Sequence, residues 1–303
     1  MSTFLKGLLF PVLLIGSFYA YHRLLCADWH PGVALFTMTL ISLAVIAVLE
    51  RLLPYRNDWA WWTDRQVVND LLHGAALSTI GPRLGEVLLA SLAATGAAAL
   101  AGTWGGGIWP ADWPLWAQVA LTIVIADFFD WGKHWLYHHA APQWPIHALH
   151  HNPDRLHFAK AGRLHFLEAT IRFAIISVPL IVLGAPPLAL FWFAASQNFL
   201  GNLNHSNVDM PVPRFLHYLM ATPQAHRLHH AKDHDLGQSN LSSFTLIPDH
   251  LFGTFRDPVT HPYDHVGIDD DPIPRNVLGQ LATPFIWPLL IVRARRRRAR
   301  QPN

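Results

Sequence analysis

"VALTIVIADFFDWGKHWLYHH", Val119 to His139, joins two kinds of sequence that seldom meet. Its first eight residues carry no charge, whereas the rest holds Asp127, Asp130, Lys133, His134, His138 and His139. Together with the apolar residues from Trp113 onward, it is one helix that leaves a bilayer and carries its polar end into water. The spacing His134–His138 puts two imidazoles one helical turn apart, on one face. This stretch predicts an all-α integral membrane protein: transmembrane helices plus a cytoplasmic helical cap that carries histidines.

The composition agrees. Of 303 residues, 51% are hydrophobic and only 14% charged, where soluble domains average about 25% charged residues. Histidine numbers 20, as many as Asp and Glu together. Cys26 is the single cysteine. It excludes an internal disulfide and any multi-cysteine zinc or iron–sulfur site.

Working toward the N-terminus, an apolar stretch predicts a membrane helix at about 5–22, and uncharged Trp29 to Leu49 a second. "ERLLPYRNDWAWWTDRQ" has the charges and tryptophans of a membrane boundary. Val67 to Gly102, with "GPRLGE" in its middle, reads as two helical pieces, the second at about 84–101. "GTWGGGIWPADWP" is a loop; no strand precedes its glycines, which speaks against a nucleotide-binding loop.

Toward the C-terminus, Phe173 to Val208 is again free of Asp, Glu, Lys and Arg. One helix of that length would run about 54 Å, too long for a ~30 Å hydrocarbon core. "GAPP" (Gly184 to Pro187) breaks it into a hairpin that returns to its starting side. The chain ends in "RARRRRAR", Arg293 to Arg300. That tail predicts a cytoplasmic C-terminus, and could also dock a redox partner or anionic lipids. The segments divide as 1–112, N-terminal transmembrane helices; 113–256, catalytic domain with hairpin; and 257–303, a C-terminal segment with the basic tail.

Two further histidine sets follow the first: His147, His150, His151 and His226, His229, His230. Within each, residues three and four apart share a helix face, while the adjacent pairs point about 100° apart. One member of each adjacent pair can serve one metal ion and the other a second. Imidazole suits zinc, copper, iron and nickel. Eight such histidines are too many for one ion and about right for two. Glu-x-x-His, the pattern of soluble di-iron bundles, is missing. Spacing alone leaves three classes open: an oxygenase, a non-enzymatic membrane metal-binding or transport protein, and a membrane zinc hydrolase. His73 and His217 read as structural, and His261 and His265 as loop residues. Nothing points to nucleic acid.

In combination these motifs resemble the fatty acid hydroxylase/sterol desaturase superfamily of membrane di-iron enzymes. Its pattern D-x6-H-x3-H, H-x2-HH and a distal H-x2-HH is met by Asp127, His134 and His138; His147, His150 and His151; and His226, His229 and His230. "RLHFLE" (Arg163 to Glu168), "LNHSN" (Leu203 to Asn207), "TPQAHRLHHAKD" and "DHLFGTF" resemble its flanking motifs across about 115–256. Trp135 stands where the family usually has arginine, Asp130-Trp131 replaces its aromatic-Trp pair, and His139 is an extra histidine.

The apolar runs predict a multi-pass protein, and the basic tail with the returning hairpin puts its active site on the cytoplasmic side. The resemblance implies two iron ions held by those eight histidines and His205, with zinc a possible substitute. It implies dioxygen, and hydroxylation or desaturation of a lipid such as a fatty acyl chain or sterol. No flavin or nicotinamide motif is present, so electrons come from a separate cytochrome b5- or ferredoxin-like protein with its reductase. Asp127 or Asp130 is expected to fix a histidine tautomer, with Glu168 a candidate for the same task. His165 receives no role.

Overall fold

The computed structural model describes residues 3–104 and 108–299. Among these the chain is helical, and its only β-pairing is three isolated bridges. Six helical stretches are long and apolar enough to cross a membrane: Phe4–Cys26, Pro31–Leu52, Val67–Thr103, Leu115–His139, Phe166–Leu183 and Val277–Arg296. This is a multi-pass membrane protein.

Most of these pair as hairpins. A short α1 (Thr3–Gly7) leads into α2 (Leu9–Cys26), and α3 (Pro31–Leu52) returns beside it. His30 caps α3 by accepting from the Gly32 N–H, and Pro31 sits at the first helical position, where its missing donor costs nothing. α4 (Val67–Trp104) runs out and α5 (Leu115–His139) runs back. α6 (Trp144–His151) follows on the histidine-bearing side. α7 (Phe166–Arg172), a π-helical turn at Phe173–Ser177 and α8 (Val178–Leu183) form one arm of the expected hairpin. Gly184 turns the chain in the left-handed region (φ 92°), and α9 (Pro187–Asn204) forms the other arm.

α9 is the central post, too polar to qualify as a span. It buries Phe191, Phe193, Phe199 and Leu200, but also Ser196, Asn202 and Asn204. Two amides of this helix reach its neighbours: Asn198 donates to the Tyr21 hydroxyl at 3.1 Å, and Asn202 to Ser42 Oγ at 2.9 Å. Such bonds hold helices together where hydrocarbon surrounds them and apolar burial supplies little drive. Large apolar residues elsewhere point outward, among them Val12, Ile15, Val87 and Leu92. In water that surface would be a liability; in lipid it is ordinary.

α4 corrects an expectation. It is one helix of 38 residues, not two pieces, despite Pro82 in its interior. Helix-breaking residues are tolerated in membrane helices when the surrounding structure holds the helix. α7 packs against this point so closely that a Cβ on Gly81 would lie 2.4 Å from Ala169 Cβ, and Thr170 Oγ1 donates to the Gly81 carbonyl at 3.1 Å.

Short helices build the polar end: α10 (Leu216–Leu219), α11 (Pro223–His229), α12 (His234–Gly237) and α13 (Ile247–Phe252). α14 (Val277–Arg298) was not foreseen. Its length suits a span, yet its contacts place it otherwise. Asn69, two residues into α4, donates to the Arg275 carbonyl just before it, and His165 bonds to the Leu281 carbonyl. Further along, Trp287, Ile291 and Arg295 line a cavity shared with His138 and His151. Both ends therefore sit with the histidine-bearing elements, and α14 lies across that end of the bundle. Gln280 and Thr283 face inward while Leu278 and Phe285 are 79% and 71% exposed, the orientation of a helix resting on lipid.

Candidate metal centre

Four segments bring nine histidines together. The C-terminal turns of α5 present His134 and His138; α6 presents His147, His150 and His151; His205 follows α9; α11 and the residue after it present His226, His229 and His230. Their ring nitrogens sort into two groups. His134, His138, His147, His151 and His229 form one, and His150, His205, His226 and His230 the other, with the ligand atoms of each within 4.8 Å of one another. Each adjacent pair is split as its helical angle requires: His150 and His151 go to different groups, as do His229 and His230.

The ring nitrogens pose a chemical problem that a cation solves. His134 Nδ1 lies 2.6 Å from the Leu241 carbonyl, His205 Nδ1 2.8 Å from that of Gly201, and His229 Nδ1 2.9 Å from that of Ser239. A carbonyl only accepts, so each Nδ1 carries the proton and each Nε2 offers a lone pair. Yet Nε2 atoms face each other: His134 and His147 at 2.9 Å, His147 and His151 at 3.1 Å, His205 and His226 at 2.9 Å, His205 and His150 at 3.1 Å. The buried Nε2 atoms of His138 and His229 have no hydrogen-bond partner among the described residues. Ligands about 2.1 Å from one metal ion stand roughly 3.0–3.4 Å apart for right-angle to tetrahedral arrangements. The spacing fits two metal ions.

Burial keeps the imidazoles neutral. It pushes His147, His150, His151, His226 and His230 well below the ordinary histidine value, and neighbouring imidazoles push the same way. Burial lowers His205 and His229 to about 4. Neutral imidazole is the form that binds metal.

The carboxylates divide differently from expectation. Asp127 accepts from the backbone N–H of Phe244 at 3.1 Å and of Thr245 at 2.5 Å, and Asp130 pairs with Lys133 at 2.8 Å. Neither is bonded to a histidine among the described contacts. Glu168, the other carboxylate expected to serve this task, is: its Oε2 lies 3.1 Å from His147 Nδ1. Asp249, in "DHLFGTF", is a buried residue that sequence reasoning passed over; its position in that motif was the only signal.

The remaining histidines fall outside both groups. His139 stacks on Trp135 at the rim, with ring centroids 4.4 Å apart. His165 caps α7, and His73 and His217 bond Gln280 and Thr222. His261 bonds the Asp257 carbonyl in a loop.

Two features frame the centre. A cavity of about 710 Å³ opens beside the first group, lined by His138, His151, Trp144, Asp233, Trp287 and Arg295. Behind α6 lies a buried ionic knot. Lys160 Nζ is 2.6 Å from both Asp64 and Asp70, and Arg163 bonds Asp70 at 2.6 Å and the Leu149 carbonyl at 3.2 Å. The lysine fills the place a metal would take between those aspartates, and the arginine ties α6 to α4.

Comparison with known proteins agrees with this geometry. The fatty acid hydroxylase family matches residues 119–254, the segment that carries every histidine of the two groups. No solved structure matches the chain. An ornithine lipid hydroxylase of Rhizobium tropici, OlsE, is 34% identical over 286 residues, 92% of this chain and 84% of that protein. With that identity sustained along nearly the whole chain, and with the family's segment coinciding with the paired histidine groups, the protein belongs to the fatty acid hydroxylase family.

Proposed function

We propose that the two histidine groups each hold one iron ion, and that the chain uses dioxygen and an external electron donor to hydroxylate a C–H bond of a membrane lipid. As a family member it is an oxidoreductase of the lipid hydroxylase type. The balance is fixed: one oxygen atom enters the C–H bond, and the other leaves as water with two electrons and two protons. Bound iron supplies activation of dioxygen. The observation that carries the reading is the convergence of nine neutral imidazoles as groups of five and four, several with Nδ1 already committed and Nε2 directed inward.

The chain's own residues do the rest. Main-chain carbonyls and Glu168 hold the rings, and burial keeps bulk water from them. The lipid is held at the boundary, its chains among the apolar helices and its polar end at the cavity. Asp233, Lys232 and Arg295 place both signs of charge at that cavity. A head group carrying both signs suits it, and the R. tropici relative makes an ornithine-containing lipid the first substrate to test. The basic tail supports a cytoplasmic centre, where a cytochrome b5- or ferredoxin-like donor would dock. Both groups lie at one end of the helices, not along a path through them, which disfavours transport. Zinc also fits nitrogen ligands, but a zinc hydrolase would need no electrons.

The test is direct. Full-length protein purified without oxygen should hold two iron ions and consume dioxygen when reduced. Cells making ornithine lipid should gain a lipid heavier by one oxygen atom only when the chain is present. Alanine at His134, His147 or His226 should abolish that product, while alanine at His261 should not. One ion per chain, or tightly held zinc with no oxygen uptake on reduction, would sink the proposal.

A further inference from the structure

We infer that Asp249 is a positioning residue for the five-histidine group, acting through the loop from Ser239 to Thr245. The inference rests on the two-ion reading above. Asp249 is fully buried, and two of the three described hydrogen bonds to its carboxylate come from backbone N–H groups. Oδ1 accepts from the Leu241 N–H at 2.8 Å and from Thr254 Oγ1 at 2.5 Å, and Oδ2 accepts from the Ser242 N–H at 2.9 Å. A carboxylate receiving main-chain N–H groups is a strong clamp, because charge-assisted hydrogen bonds are the strong ones.

What the clamp holds matters to the centre. The carbonyls of Ser239 and Leu241 accept from Nδ1 of His229 and His134. These two histidines come from different helices yet belong to the same group. Between the carbonyls stands Asn240, at φ 54° in the left-handed region. A non-glycine residue persists there when its surroundings over-determine it. Here they do: Asn240 Oδ1 accepts from the Arg256 N–H at 3.0 Å, its Nδ2 donates to the Arg256 carbonyl at 3.0 Å, and its own N–H donates to the Thr254 carbonyl at 3.0 Å. Asp127 fastens the far end of the loop through the N–H groups of Phe244 and Thr245. The loop is thus pinned from α5, from α13 and from the segment after α13, with two carbonyls turned toward two imidazoles. No described hydrogen bond joins a carbonyl of this loop to an imidazole of the four-histidine group, in which His205 is oriented by Gly201 of α9; apart from the His229 bond, the loop reaches α11 through Asn240 Nδ2, which donates to the Ala225 carbonyl at 3.3 Å.

That asymmetry makes the role testable. Full-length parent, Asp249→Ala and Asp249→Asn proteins, solubilised in detergent and stripped of metal, are titrated anaerobically with Fe(II) against a competing chelator. Ions retained are counted by elemental analysis, and thermal unfolding of the metal-free proteins is followed in parallel. The parent should hold two ions tightly. Asp249→Ala should hold one as tightly as the parent and the other about 10–100-fold more weakly, the usual effect of removing a partner that orients a ligand. Asp249→Asn keeps an acceptor for Leu241 and should fall between; if the alanine variant does not fold, the asparagine variant carries the test. Combining Asp249→Ala with His226→Ala should leave no tightly held ion. Two ions bound with parental affinity would overturn the inference. So would equal weakening of both ions with lower unfolding temperature, since that marks a purely structural residue. Fewer than two ions in the parent would instead overturn the two-ion reading.

Discussion

Glu168 does for His147 what main-chain carbonyls do for His134, His205 and His229: it accepts from Nδ1 and leaves Nε2 to face the centre. Sequence spacing favoured Asp127 and Asp130, which share a helix with His134. Proximity along a helix proved the wrong guide, because the carboxylate that reaches a histidine comes from α7, 21 residues from His147. Glu168 also lies 3.9 Å from Lys133, which keeps Asp130 as its closer partner, so removal of Glu168 chiefly leaves a buried ring N–H without an acceptor. We expect Glu168→Ala to weaken metal retention and turnover by about 10–100-fold. Glu168→Gln, which still accepts from His147, should lose markedly less. Iron content and turnover measured together check this; equal losses in both variants would show that charge, not the hydrogen bond, is what matters.

α4 shows how an element outlives its local signals. Pro82 and the flanking glycines are breakers in a water-soluble context. Here Gly81 and Gly85 are small so that α7 and the π-helical turn can approach: added Cβ atoms would lie 2.4 Å from Ala169 Cβ and 2.9 Å from Phe173 Cβ. Ala169 follows Glu168, so this contact sets how deep Glu168 reaches. Gly81→Ala should therefore destabilise the protein by about 1–3 kcal/mol, the usual cost of overpacking, and reduce turnover. Gly102→Ala, in the same helix with nothing within 4 Å of the added atom, should do neither. Thermal unfolding and lipid turnover of the two variants decide; equal effects would mean that the α4–α7 contact is not what limits stability here.

At the scale of the molecule, the chain leaves and rejoins one end of the bundle repeatedly. α3 returns to where Glu50 accepts from the N–H of Phe158 and Asn207 at 2.7 and 2.9 Å. α5 returns with His134, and α9 returns with His205. All nine histidines of the two groups must then share one side of the membrane, and we propose from the basic tail that this side is the cytoplasm. Asp154 and Asp233 are exposed on two separate loops of that end. Cysteines placed there in a Cys26→Ser background should both resist a membrane-impermeant thiol reagent in intact cells, and both should label once the membrane is opened. Labelling of only one in intact cells would put the histidine sets on opposite faces and remove any shared centre.

Much of this was legible in the residues themselves. Hydrophobic runs mark the helices because a span must be apolar over a fixed length. The histidine spacings mark the two clusters because three- and four-residue steps share a helix face. Both are local properties, and both survived in the structure. What only tertiary packing decided is non-local. α4 stays whole because α7 covers its weak point, and α14 lies across the bundle because its two ends find partners at the same end. Glu168 rather than an aspartate meets His147. Asp249 reaches the histidines only through the backbone of a loop that its own carboxylate holds. No spacing rule encodes a carbonyl's direction, since that depends on which distant groups claim the neighbouring N–H.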